Sequence, residues 1–230
     1  MKFTHRILVE GRNDQYVLRD LLRTHHIDCM ITDRRDWSQK VDTIGIVQPK
    51  GSTHGITGLL DYLKVILDDG DLECLGIVVD ADTNIEGRWR SLCNLLSKFG
   101  GRDLPQSPEP EGTIVMLEQR YRKLPVGVWV MPDNHMPGIL EDFIGFLIPN
   151  ADEPLWHRAR HCVDDIPKAQ RHFSDVDIAK VYVHTWLAWQ EEPGRPLGQA
   201  ITAKYLDAHA PHALRLVRWV ERLFEIERAT

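Results

Sequence analysis

No apolar stretch in this chain is long enough to cross a membrane. Runs such as residues 75–79 are strand-sized, far short of the ~18 residues a span needs. The opening Met1-Lys2-Phe3-Thr4-His5-Arg6 shows neither the apolar core nor the small-residue cleavage site of a secretory leader. Cysteine is scarce, and Cys29, Cys74, Cys93 and Cys162 form no Cys-x-x-Cys pair. They read as reduced thiols, not a disulfide framework, and the expected compartment is cytoplasmic. Positive charge is also in deficit, with 28 Lys and Arg against 34 Asp and Glu, for a formal charge of −6. That balance excludes coating of nucleic acid by bulk charge. It does not exclude an enzyme that meets phosphates through bound cations.

What is present is alternation. Residues 5–9 form a β-rich run that hands over to a helical stripe at Val17, Leu18, Leu21 and Leu22. Residues 43–47 read as a second strand, followed by a helix face at Ile56, Leu59, Leu60, Leu63 and Leu67. Residues 74–79 are apolar throughout, as in parallel strands buried on both faces, and lead to a third stripe at Trp89, Leu92, Leu95, Leu96 and Phe99. A breaker-rich loop at 105–112 precedes an edge-strand candidate at 113–117. Residues 126–131 are the next core strand and 139–147 the next helix. This order predicts an α/β fold, a mainly parallel sheet flanked by helices on both faces. From about residue 149 the pattern is helical, past Trp186 and Trp189 to an amphipathic helix from Pro211 to Phe224. The expected division is an α/β domain over 1–148 and a helical C-terminal extension over 149–230, either capping the sheet or standing beside it.

Functional groups of an open parallel sheet gather beyond the carboxyl ends of its strands. Three predicted strands end in acid: Ile7-Leu8-Val9-Glu10-Gly11, with Asp14 one helical turn on; Ile77-Val78-Val79-Asp80-Ala81-Asp82; and Trp129-Val130-Met131-Pro132-Asp133. Gly138-Ile139-Leu140-Glu141-Asp142 opens the helix after the last of them. Any one such acid reads equally well as a helix cap or a solvated turn residue. Together they predict a crowded carboxylate site that needs a divalent cation, with Mg²⁺ as the hard ion that suits oxygen ligands and phosphate substrates. Asp80 and Asp82, two residues apart, could serve two ions, the arrangement that promotes phosphodiester cleavage.

Val9-Glu10-Gly11-x-x-Asp14, followed by Val79-Asp80-Ala81-Asp82, resembles the Toprim domain of primases, topoisomerases and OLD-type nucleases. Gly138-x-Leu140-Glu141-Asp142-Phe143 is similar to the late acidic motif of the OLD branch. These motifs span about residues 5–148. Through Val128-Trp129-Val130-Met131-Pro132-Asp133-Asn134 and Lys180…His184-Thr185-Trp186-Leu187-Ala188, the whole chain also resembles small stand-alone bacterial Toprim proteins. The resemblance implies a Toprim (Rossmann-like) fold and Mg²⁺- or Mn²⁺-dependent phosphoryl transfer on nucleic acid, with two ions. By position, Glu10 would bind metal or act as general acid/base, and Asp80 and Asp82 would be metal ligands. Asp14 and Glu141 would complete a second metal position, and Lys180 is the candidate for the basic residue that steadies transition-state charge. A chain of 230 residues has no room for a topoisomerase nucleophile domain or a primase zinc module, which favours a nuclease. Its substrate is expected to be DNA before RNA, in bacterial defence or repair. OLD-type nucleases carry a fused ATPase, so a separate ATPase partner or independence is expected, and a homodimer is compatible.

Two alternatives stand beside this reading. One is a non-cleaving Toprim module that binds or regulates with a partner ATPase. The other is a haloacid-dehalogenase-like phosphatase using Asp80 as nucleophile, although Asn84 occupies the place where that motif has Thr or Val. A calcium loop starting at Asp80 is rejected, because Ile85 and Ser91 hold its Gly and Glu positions. Gly51-Ser52-Thr53-His54-Gly55-Ile56-Thr57-Gly58 has no Walker lysine and reads as a capped helix start. His157 and His161 have zinc-helix spacing, but Arg158 stands where a catalytic Glu would be, so they read as a surface pair. Basic residues that could track a backbone include Lys50, Arg12, Arg88, Arg90, Arg158 and Arg160.

Overall fold

The structure, a computed structural model, describes residues 2–32, 40–41, 43–49, 55–119 and 122–227. In chain order the strands are β1 (Lys2–Phe3), β2 (His5–Val9), β3 (Cys29–Ile31), β4 (Lys40–Val41), β5 (Ile44–Val47), β6 (Cys74–Asp80), β7 (Thr113–Gln119) and β8 (Arg122–Met131). The helices are α1 (Arg12–Thr24), α2 (Gly55–Leu67), α3 (Ile85–Lys98), α4 (Leu140–Gly145), α5 (Glu153–Asp164), α6 (Ile178–Leu187), α7 (Leu197–Thr202) and α8 (Pro211–Leu223). Six strands make one sheet in the order β3-β5-β2-β6-β8-β7, parallel except for the edge strand β7. β1 and β4 form a separate two-residue parallel pair. The expected α/β fold with a mainly parallel sheet and C-terminal helices is therefore present.

The route of the chain decides where a site can form. From β2 it moves outward through α1 to β3 and β5, then returns through α2 to β6 on the other side of β2. The strand order thus reverses between β2 and β6. In open α/β sheets the crevice outside the carboxyl ends at that reversal is where ligands bind. The two crossovers put α1 on one face and α2 on the other, and the buried apolar residues divide accordingly. Ile7, Val9, Val78 and Trp129 face α1, α4, α6, α7 and α8, while Leu8, Ile77, Val79 and Val128 face α2 and α3.

The C-terminal helices share their core with the sheet. α8 buries Leu216, Val217, Trp219, Val220 and Leu223 along one stripe. It lies so close that a Cβ on Gly127 of β8 would come within 2.5 Å of the Leu223 side chain, and one on Gly76 within 3.3 Å of both Leu223 and Trp219. α7 packs against α1 at Gly198, where a Cβ would meet the Tyr16 carbonyl oxygen at 2.8 Å. The extension covers the sheet face that α1 leaves open.

Three elements differ from expectation. The three-residue β3 is too short to show a period, and its place is set by pairing with β5. β8 begins at Arg122, four residues earlier than expected, because Pro125 reads as a breaker. Pairing with β6 starts only at Val126, so Pro125 sits where one side of the strand has no partner to miss its N–H. α4 is shorter than 139–147, with Asp142 accepting the Ile139 N–H at 2.9 Å to cap its start.

Candidate active site

The crevice at the reversal is lined by acid. Glu10 follows the last residue of β2, and Asp80 ends the neighbouring β6. The Asp80 N–H donates to Glu10 Oε1 at 3.1 Å, locking the two strand ends together. The Leu140 N–H, at the start of α4, donates to Asp80 Oδ1 at 3.0 Å. Asp14 lies in the first turn of α1 and is buried, its Oδ2 only 3.0 Å from where a Cβ on Gly11 would sit. Glycine at position 11 leaves room for that carboxylate. Glu141, the second residue of α4, is also buried.

These four carboxyls perturb one another. Burial pushes Asp14 up to about 7, with the charges of Glu10 and Glu141 adding to it. Burial pushes Asp80 up to about 9, helped by Asp14, Glu10 and Glu141. Burial also raises Glu10, against the pull of the Arg88 guanidinium, and raises Glu141, against Lys180 and His184. The physical statement is common to all four: negative charge is held out of water without enough positive charge beside it.

Asp82 takes a different position. Its backbone is left-handed (φ 52°) and pairs with Gly138, N–H to O at 3.0 Å and the reverse at 2.8 Å. Its exposed side chain is ion-paired with the buried Arg88. It stands at the rim, not among the four. Lys180 reaches the same region from α6, where it interacts electrostatically with Glu141 and Asp80 while its Nζ donates to Asp177 at 3.0 Å.

Five of the six singled-out residues are thus carboxylates gathered at one end of the sheet, and the sixth lies over them from a helix remote in sequence. Among the described residues, no group of three or more His, Cys, Asp or Glu side chains is poised to hold one metal ion. The donor set is all oxygen and short of positive charge, which fits a hard divalent cation in chemistry. Its carboxylates are near enough to raise one another's pKa, but two of their oxygens are committed to backbone amides.

Other acids of the predicted constellation have local duties. Asp133 Oδ1 accepts the N–H groups of His135 and Met136 at 3.0 and 2.9 Å, a turn cap. Asp142 caps α4. His157 and His161 are exposed and lie near Glu153 and Asp165, respectively, within their own helix region. Of the glycine-rich stretch, residues 51–54 lie outside the described residues.

Two recesses adjoin the acids. One, of about 540 Å³, runs from Asp82 and Gly138 to Val176 and Ile178. The other, of about 240 Å³, is bordered by Glu141, Trp156, Arg160 and Tyr182. Larger hollows lie elsewhere, about 970 Å³ near Leu67 and Arg122 at the amino end of the sheet and about 700 Å³ beside Trp89 and Leu104. Sequence reasoning missed His184 and the Trp156–Tyr182 recess, because no local spacing links α5 and α6 to the strand ends.

A family model described as a protein of unknown function, DUF3226, matches residues 4–225. The chain belongs to the DUF3226 family. That match takes in β2, α4 and α8 alike, so acid site and C-terminal helices fall within one family unit. No curated protein and no solved structure matches the chain.

Proposed function

We propose that this DUF3226 protein is a metal-dependent phosphodiesterase acting on nucleic acid, a nuclease of the Toprim kind. The observation that carries the reading is the gathering of Asp14 and Glu141, both buried, with Glu10 and Asp80, both partly buried, at the point where the strand order reverses. Four acids in that state oppose their own ionisation, an expense that a purely structural site avoids by pairing or by apolar replacement. Glu10, Asp14, Asp80 and Glu141 are the residues that would hold Mg²⁺ or Mn²⁺, with Asp82 at the rim. When bound, the cation supplies counter-charge and Lewis acidity toward a phosphate.

The chain's own groups supply the rest. Glu10 Oε1 is occupied by the Asp80 amide, which leaves Oε2 to take a proton from an attacking water. Burial raises its pKa, the direction that suits a group that must accept and return a proton. Arg88 holds Asp82 and pulls on Glu10, fixing the rim. Lys180 places positive charge near Glu141 and Asp80, where a phosphate's developing charge would be met.

The test is incubation of the purified protein with supercoiled plasmid in Mg²⁺, in Mn²⁺ and in chelator, beside Asp80→Asn. Nicking that needs both metal and Asp80 supports the reading; metal-independent nicking, or nicking retained by Asp80→Asn, sinks it. One observation favours a second reading. Because no three acids among the described residues are poised to chelate an ion, a non-cleaving module completed by a partner such as an ATPase also fits. No cleavage by folded protein, together with saturable Mg²⁺ binding, would select it. The phosphatase alternative is weakened by Asp82, whose pairing with Arg88 ties up the second acid that such chemistry needs as a proton donor.

A further inference from the structure

The recess of about 240 Å³ beside Glu141 has no part in the scheme above. Trp156 and Arg160 come from one face of α5 and Tyr182 from the facing α6. The two rings meet edge to face, centroids 6.3 Å apart and planes at 87°. The Arg160 guanidinium carbon lies 5.8 Å from the centre of the Trp156 ring and 5.3 Å from that of Tyr182. Its N–H groups make no hydrogen bond or ion pair with a described residue, although its charge is felt by Asp142. Trp156 is only half-buried and is backed by Gly145 of α4, where a Cβ would touch the ring at 3.5 Å. Glu141 borders the recess and also belongs to the acid group, so the two are contiguous.

We propose that this recess holds one unpaired nucleobase of a nucleic-acid strand whose adjoining phosphate lies at the acid group, which makes the substrate single-stranded or locally opened. The proposal rests on the phosphodiesterase reading. Aromatic faces stack any base without regard to sequence, and a guanidinium with unused donors suits the strand's anionic oxygens. The volume admits one base and excludes a base pair. Half-buried aromatic rings beside an arginine with unused donors are the combination that single-strand binders use, whereas duplex binders rely on charge along both backbones. The modest negative charge of the whole chain points the same way, since bulk attraction to duplex is absent.

The experiment is fluorescence anisotropy in Ca²⁺ buffer, with a labelled single strand of about 12 nucleotides and a blunt duplex of the same sequence. The single strand is expected to bind at least about tenfold tighter than the duplex. Trp156→Ala should weaken single-strand binding about tenfold, while Trp156→Phe keeps most of it. Arg160→Gln, at an exposed position, should weaken it several-fold and flatten its salt dependence. Wild-type affinity in both Trp156→Ala and Arg160→Gln overturns the proposal, and if Trp156→Ala does not fold, Arg160→Gln decides. Equal binding of strand and duplex overturns it too. Displacement of the strand by an equal concentration of a free deoxynucleoside monophosphate overturns the strand version, the occupant then being a small nucleotide. If Trp156 and Arg160 matter for binding but Asp80→Asn still nicks plasmid, the base site stands and the acid-site reading fails.

Discussion

At the amino end of the sheet Arg6 reaches Asp69 at 2.8 Å, and Arg122 donates to the carbonyls of Leu67, Gly70 and Leu72. At the carboxyl end the buried Asp14 and Glu141 and the partly buried Glu10 and Asp80 lie within electrostatic reach of one another. Both ends hold charge in a poorly solvated place. One resolves it with partners supplied by the fold, and the other leaves it unresolved. A hollow of about 970 Å³, larger than either recess beside the acids, sits at the resolved end beside Arg122, so cavity size and chemistry are separate properties here. A fold tolerates unresolved charge where a ligand or cation is to complete it.

The comparison can be broken most decisively at the acids. Glu10→Gln and Asp80→Asn should each lower metal-dependent plasmid nicking by more than about 100-fold, since even residues behind metal ligands commonly cost 10–100-fold. Circular dichroism should show both folded. At the opposite end, Arg6→Met removes the ion pair with Asp69 and the Nε–H that Phe3 O accepts at 2.7 Å. It should lower Tm by about 5–12 °C through a loss of about 2–4 kcal/mol, with nicking at permissive temperature unchanged.

The sharper test is one of sign. An acid whose folded pKa is raised holds its proton more tightly folded than unfolded, so stability falls as pH rises from the unfolded value through the folded one. For Asp14 and Asp80 that window runs from about 4 up to about 7 and about 9. In chelator, Tm should therefore fall steadily between pH 5 and 9, and added Mg²⁺ should recover it. Asp80→Asn should raise Tm at pH 8 by a few degrees while destroying activity; a lower Tm across the whole range would count against the crowded-acid account. The smallest effect belongs to Lys180→Met, expected to slow nicking tenfold or less with no change in Tm, because Lys180 is half-exposed and already shares its charge with Asp177.

Much of the fold was legible because burial on both faces makes a strand such as β6 apolar throughout, and one-sided burial gives α3 its stripe at Trp89, Leu92, Leu95 and Leu96. Glu10, Asp80 and Glu141 were legible for a related reason: each follows or ends such a signal. β3 and the early start of β8 were not, since three residues carry no period and Pro125 reads as a break where only one neighbour is missing. Asp133 and Asp142 looked like site acids and serve as caps, a distinction that depends on which backbone N–H lies in reach.

By itself the sequence determined the alternation of strand and helix, the faces each buries and the placing of acids at strand ends, because these depend on spacings of two to four residues. The tertiary structure alone decided that β2 and β6 are neighbours at the reversal of strand order, that Asp82 turns out to Arg88 while Asp14 turns in, and that α5 and α6 bring Trp156, Arg160 and Lys180 to the same rim. Those outcomes join residues tens of positions apart. What sets them is the packing of whole helices on a twisted sheet, together with the balance of desolvation and charge that exists only once those elements have met.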